Sequence, residues 1–197
     1  AVINSSAGPA TLTVGNNNGA GTSFGIIDQT NGVINVTKIG TGAHTWNGIS
    51  TYTGVTTIDS TGILTITNIA DIGSASGIGK GDATSNATNA ASLVFTGASS
   101  TQAYGGLGYN GRTSVSTDRL FTFGGTAADS GVRIQSSGGG LSSTLVFSNT
   151  GALAFGTLNV AQGLALGGGS TGDNQFNPQI TDNGTGVVSL YKQAASL

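Results

Sequence analysis

Cysteine is absent, so the chain has neither disulfide staples nor Cys-based zinc or redox chemistry. Glutamate is absent too: all eight acidic residues are Asp, and Lys and Arg number three each. Wet helix faces need Glu, Lys, Gln, Arg and Ala, so helix is expected to be scarce. Charged residues make up 7% of the 197, net charge is −2 and no basic tract occurs. That excludes an electrostatic footprint for nucleic acid or for an anionic membrane surface. No apolar run approaches the roughly eighteen residues of a spanning helix, so no membrane insertion is expected. The sequence begins at Ala1 without an initiator Met or a signal peptide and reads as mature, excised or a fragment.

What is present is 35 Gly, much Thr, Ser and Asn, and a hydrophobic share of 37%, too apolar for a disordered chain. Short Thr-, Val-, Ile- and Phe-rich runs recur about every ten residues, at 12–14, 24–27, 33–36, 44–46, 55–58 and 64–66. They continue at 93–95, 120–123, 132–134, 145–147, 153–155, 158–160 and 164–166. Between them sit turn clusters such as Gly15-Asn16-Asn17-Asn18-Gly19 and Gln29-Thr30-Asn31-Gly32. The class is all-β, with strands whose alternate side chains, such as Leu12 and Val14 or Leu64 and Ile66, point inward. Residues 68–92 and 97–117 are less regular and read as longer loops leaving the stack.

Self-comparison separates a sandwich or barrel from a solenoid. Leu12-Thr13-Val14-Gly15 followed by Phe24 recurs as Leu164-Ala165-Leu166-Gly167 followed by Phe176. After a two-residue insertion, Gly32-Val33-Ile34-Asn35-Val36-Thr37-Lys38 recurs as Gly186-Val187-Val188-Ser189-Leu190-Tyr191-Lys192. The head segment 12–38 thus returns at 164–192, as in an array whose units stack on one another. The reading is one β-solenoid domain over 1–197, with coils of about 20 to 25 residues and eight or nine coils in a short rod.

From Lys38 to Leu64 the chain carries Lys-Ile-Gly-Thr-Gly, the strand His44-Thr45-Trp46, Tyr52-Thr53-Gly54, Thr56-Thr57 and Gly62-Ile63-Leu64, in that order. This resembles the autotransporter-associated β-strand repeat of bacterial surface and secreted proteins. The resemblance implies a right-handed parallel β-helix, exported as part of a large passenger and placed outside the cell or on the bacterial surface. After Lys192 the order breaks, because Gln193 to Leu197 stand where the family's Gly-x-Gly would follow.

Residues for chemistry are few. His44 is the single histidine, expected to be turn-proximal or solvent-facing, and no Ser or Asp is placed to build a triad with it. Asp28, Asp59, Asp71, Asp82, Asp118, Asp129, Asp173 and Asp182 are scattered singly beside turn residues, unlike the clustered carboxylates of carbohydrate-cleaving β-helices. Gly106-Leu107-Gly108-Tyr109-Asn110-Gly111 matches a dinucleotide pattern without the βαβ unit it requires. Gly77-Ile78-Gly79-Lys80-Gly81-Asp82 is a single copy of a calcium-type nonapeptide, which binds only in tandem. Arg112, Arg119 and Arg133 fall in a span otherwise poor in charge and mark a candidate sugar- or partner-binding patch.

These residues point to a non-enzymatic, structural module with no catalytic residue, cofactor or metal. Its expected partner is a further copy of itself, stacked head to tail into a filament through Val2, Ile3, Leu12 and Val14 at one end and Val187, Val188, Leu190 and Tyr191 at the other. The alternative is an adhesin or passenger fragment that binds glycans or host surfaces through its loops.

Overall fold

The computed structural model describes residues 1–23, 25–59, 61–97, 104–128, 130–138 and 142–193. Phe24, which opens one expected strand and half of one expected repeat, lies outside them, as do Ser60, Asp129 and 194–197.

The elements are, in chain order, β1 (Val2–Ile3), β2 (Ala10–Val14), β3 (Gly21–Ser23), β4 (Ile27–Asp28), β5 (Ile34–Ile39), β6 (His44–Trp46), β7 (Thr56–Asp59) and β8 (Ile63–Ile66). Then come α1 (Asn86–Ala91), β9 (Leu93–Phe95), β10 (Gly106–Tyr109), β11 (Val115–Thr117), β12 (Thr122–Phe123) and β13 (Ser130–Ser136). The chain closes with β14 (Leu145–Phe147), β15 (Ala154–Phe155), β16 (Gln162–Gly167), β17 (Gln175–Phe176) and β18 (Val188–Lys192). The structure is nearly all β, and every pairing between these strands is parallel.

Successive strands alternate between two large sheets, which explains the ten-residue rhythm of the sequence. One sheet runs β2-β5-β7-β9-β12-β15 and the other β3-β6-β8-β10-β13-β16-β18. A third, of three strands, runs β11-β14-β17, and β1 pairs with β4. Paired strands are separated by a longer stretch of chain: Val36 faces Thr56, and His44 faces Leu64, 20 residues on. The step lengthens to 37 residues between Ile58 and Phe95 and to 43 between Leu64 and Leu107. These long steps hold the larger sheet to seven strands, roughly 29 Å from first to last, rather than eight or nine.

Register stacks like on like. Val14, Lys38, Ile58, Phe95, Phe123 and Phe155 form one inward column of the six-stranded sheet. In the seven-stranded sheet, Trp46, Ile66, Tyr109 and Ser136 form another. Leu64 and Ile66 are fully buried, and Leu12 and Val14, on an edge strand, pack half-buried against the same cluster. Phe123 and Phe155 stack at 5.3 Å, while Phe121 meets Phe95 and Phe123 edge-on. Each such aromatic or aliphatic side chain contributes about 1.5–3 kcal/mol by leaving water.

The Lys-x-Gly sequence has a physical reason. Lys38 lies on the inward face of β5, fully buried, and its Nζ donates to Ile39 O at 2.7 Å and Gly40 O at 2.9 Å. The side chain thereby satisfies carbonyls of the corner that follows its own strand. Gly15 makes room: its φ is +97°, and a Cβ there would fall 2.0 Å from Ile39 O.

Four expectations need correction. Residues 68–92 do not leave the stack: Ile69, Ser76, Ile78, Asn89 and Ala90 are buried, Ser50 bridges Ser76, and Tyr52 O accepts the amides of Lys80 and Gly81. Within them, Ser85 caps α1 by accepting from Thr88 N, and Thr88 Oγ1 accepts from Ser85 N in return. Residues 97–117 are not a loop either, since they hold β10, a fully buried central strand, and β11; 98–103 lie outside the described residues. The run 158–160 is a corner rather than a strand, with Leu158 70% exposed and Asn159 at a φ of +64°. Finally, the head segment and its recurrence occupy different sheets: Leu12 belongs to the six-stranded sheet and Leu164 to the seven-stranded one.

Candidate functional site

The eight expected stacking residues lie in two groups, one on β1 and β2 and one at β18. Val2 and Ile3 form β1, and Leu12 and Val14 lie on β2, the free edge of the six-stranded sheet. Val188, Leu190 and Tyr191 lie on β18, the free edge of the seven-stranded sheet, with Val187 just before them. Val2, Ile3, Val187 and Leu190 are between 44% and 59% exposed, and a free edge leaves backbone donors and acceptors unpaired. Beside β2 and β3 lies an apolar cleft of about 460 Å³, lined by Val2, Leu12, Val14, Ile27, His44 and Trp46 among others. Beside β17 and β18 lies a second, of about 290 Å³, lined by Leu145, Phe147, Leu166, Phe176 and Lys192.

His44 is turn-proximal, opening β6 straight after the bend at 40–42, and half-buried rather than fully solvent-facing. It shares the inward column with Leu64, its Nε2 is shut from solvent without a hydrogen-bond partner among the described residues, and Gly21 lies over its ring. The Asp residues act on neighbouring turns: Asp28 accepts from Thr51, Asp59 from Thr96, and Asp182 from Val188 N. Asp71 and Asp118 are brought close, Asp118 N donating to Asp71 Oδ1 at 2.8 Å and Ile72 N to Asp118 Oδ1 at 2.7 Å. Gly77 to Gly79 are buried, and Gly79 lies against the Tyr52 ring.

The three arginines separate completely. Arg112 is exposed in the turn after β10. Arg119 is 1% exposed; its Nε donates to Ala70 O at 3.0 Å and its second terminal nitrogen to Gly79 O at 2.7 Å and Lys80 O at 2.9 Å. Burial pushes its pKa down to about 10, with the Tyr52 hydroxyl, Asp118 and Asp71 working the other way. Arg119 is therefore a clamp on the 69–82 segment, not a binding residue. Arg133 points outward from β13, half-buried, and its Nε is shut from solvent without a hydrogen-bond partner among the described residues; desolvation lowers its pKa. Nothing in the local sequence distinguishes these two side chains, because the partners that fix Arg119 lie 39 to 49 residues away.

No protein-family model matches the chain, and no solved structure matches it. It is 39% identical over 185 residues, 94% of its length, to a protein of Brucella suis biovar 1 (strain 1330) described as "Adhesin BmaC autotransporter". The chain spans about 5% of the length of that relative. The similarity places it among secreted or cell-surface proteins.

Proposed function

We propose that the chain is a passenger segment of an autotransporter-type surface protein, built as one right-handed parallel β-helix of the autotransporter-associated repeat kind, and that its role is adhesion. The observation that carries this is the 39% identity to an adhesin autotransporter across 94% of the chain. The parallel register of both large sheets and the buried Lys38 corner support the helical architecture. Within residues 68–92, Ile69, 76–79 and 89–90 are packed into the structure while 84–88 stay exposed, so the adhesive surface includes 84–88 as well as the exposed sheet faces. The reading contains no catalytic step, cofactor or metal. It is tested by coating beads with the purified chain and measuring attachment to cultured epithelial cells. Saturable attachment, inhibited by soluble chain, supports it; attachment equal to that of albumin-coated beads rejects it.

Head-to-tail stacking of copies is a second reading, favoured by the two apolar clefts and the exposed Val187 and Leu190. Sedimentation decides it: concentration-dependent growth abolished by Val188→Lys supports stacking, and a monomer at high concentration rejects it.

A further inference from the structure

The strand pair β16 and β18 repeats the pair β2 and β5 in register as well as in sequence. In the head, Leu12 faces Val36 and Val14 faces Lys38; in the tail, Leu164 faces Leu190 and Leu166 faces Lys192. The glycine that follows each lower strand lies against the corner that follows the upper one, Gly15 on Ile39 and Gly167 on Gln193. The two pairs differ in what lies above them. β5 carries β7, with Thr56 on Val36 and Ile58 on Lys38, and Lys38 is fully buried. β18 carries no strand among the described residues: Leu190 is 59% exposed, and Lys192 is exposed with its Nζ 3.4 Å from Gln193 O.

β7 therefore shows what the free edge of β18 lacks, a parallel strand with one inward side chain over Leu190 and another over Lys192. Backbone direction adds a second condition. Gln162 N donates to Val187 O and Gln193 N to Leu166 O, so the odd-numbered residues of β18 face β16 while Leu190 and Lys192 turn their amides and carbonyls to the free edge. A guest strand must bring a carbonyl just before the residue opposite Leu190, as Val55 O takes Val36 N just before Thr56. At the other end of the molecule β2 meets both conditions. It has five residues, as β18 has, with Leu12 and Val14 two apart on its inward face. Ala10 N donates to Val33 O of the neighbouring coil, which leaves Thr11 and Thr13 facing the free edge. β3, the edge of the seven-stranded sheet at that end, has Gly21 and Ser23 in the inward positions instead.

We propose that the free edge of β18 is a docking site for β2 of a second copy of this chain, with Leu12 of that copy on Leu190 and its Val14 on Lys192. Leu190 N donates to the second copy's Thr11 O, and Leu190 O accepts from its Thr13 N. Asp182 already holds Val188 N, so Leu190 and Lys192 carry the contact. β2 belongs to the six-stranded sheet and β18 to the seven-stranded one, so the second copy is turned by one face about the stacking axis. This rests on the stacking reading and gives it a partner strand and a register.

The test is disulfide trapping between differently substituted copies, which the absence of cysteine permits. Thr11 and Ser189 are outward neighbours of the paired positions, so Thr11→Cys chain mixed with Ser189→Cys chain should give a covalent heterodimer under mild oxidation. Tyr191→Cys mixed with Ala20→Cys, the pair that a copy set without the turn would bring together, should give none. In the assembly of unsubstituted chain, Lys192 should lose reactivity towards acetic anhydride relative to the monomer, while the exposed Lys80 keeps it. Bridging of the Tyr191 and Ala20 pair in place of the Thr11 and Ser189 pair would overturn the docking, as would Lys192 equally reactive in assembly and monomer. Ser189→Cys chains bridging to one another would overturn it too, by making the contact tail to tail. If the chain sediments as an oligomer and Thr11→Cys does not bridge, the register alone fails; if it sediments as a monomer at every concentration, the stacking reading fails with it.

Discussion

Replacing Arg119 with methionine should release the 69–82 segment while leaving the sheets standing. The side chain makes three charge-assisted hydrogen bonds, to Ala70 O, Gly79 O and Lys80 O, each worth about 1.5–3 kcal/mol before desolvation. The net effect is smaller than their sum for two reasons. Each carbonyl keeps another donor: Thr117 Oγ1 on Ala70 O, Ser76 Oγ on Gly79 O and Gly73 N on Lys80 O. Methionine also relieves the cost of burying the guanidinium, which the lowered pKa records. A loss of about 2–4 kcal/mol follows, somewhat below the range for breaking a buried ion pair because no uncompensated charge is left behind. Urea unfolding followed through Trp46, the single tryptophan, gives the magnitude. Hydrogen exchange gives the location: the amides of Gly73, Lys80 and Gly81 should lose protection, and those of β8 and β10 should keep it. Arg119→Lys should rescue little, because an ammonium cannot reproduce the planar fork. Unchanged protection at Gly73 and Lys80, or simultaneous loss in β8, would refute the clamp.

Gly15→Ala should cost at least about 2 kcal/mol, since it combines a left-handed φ with a contact on Ile39 O, and thermal melting should show a drop of about 4–8 °C. Tyr52 is fully buried with its hydroxyl on Thr56 Oγ1, and burial pushes its pKa up from 10.0. Below pH 10 both states hold the proton and the contribution is complete; above it the unfolded chain ionises first and stability is lost. Lys38 and Arg119, both lowered by burial, act in the opposite sense at alkaline pH. The comparison is therefore with Tyr52→Phe: between about pH 9 and about pH 11 the urea midpoint of the parent should fall more than that of the variant. Ser85→Ala should cost about 1 kcal/mol and raise exchange in α1.

Much of the fold was legible because its signals are local. His44-Thr45-Trp46 and Ile63-Leu64-Thr65-Ile66 alternate as half-buried strands must, and both are strands in register with each other. The Lys38 to Leu64 motif gives the same result, with Trp46, Tyr52 and Leu64 all buried. Residues 68–92 were not legible as core. Ile69, Ile78 and Ala90 follow neither a two- nor a 3.6-residue period, and their burial is imposed by Arg119 and Asp118 from far along the chain. Strand β10 was hidden because Gly106 and Gly108 leave its outward face without side chains, so that it reads as a glycine motif rather than as alternation.

The candidate site was less legible still. The three arginines look alike in sequence, and only tertiary structure makes Arg119 a clamp, leaves Arg112 in a turn and sets Arg133 half-buried on a sheet face. Tyr191 was expected among the stacking residues, and its ring projects from the outward face of β18 beside Tyr104. The recurrence of the head at the tail was real as sequence, yet it maps one sheet onto the other. A pattern of alternation and corner glycine serves both sheets equally and does not identify which one a strand will join.

Parallel stacking in a fixed register underlies every site described, and the absence of native cysteine makes it directly testable by paired cysteine substitution. Thr13 and Thr37, and Thr45 and Thr65, are register partners on outward columns. Their Cα atoms should lie about 4.8 Å apart, inside the range a disulfide spans. Mild oxidation should therefore bridge Thr13→Cys/Thr37→Cys and Thr45→Cys/Thr65→Cys in the folded monomer. It should not bridge Thr45→Cys/Ile66→Cys, whose side chains leave opposite faces. Efficient bridging of the off-register pair, or none of the register pairs, would contradict the stack.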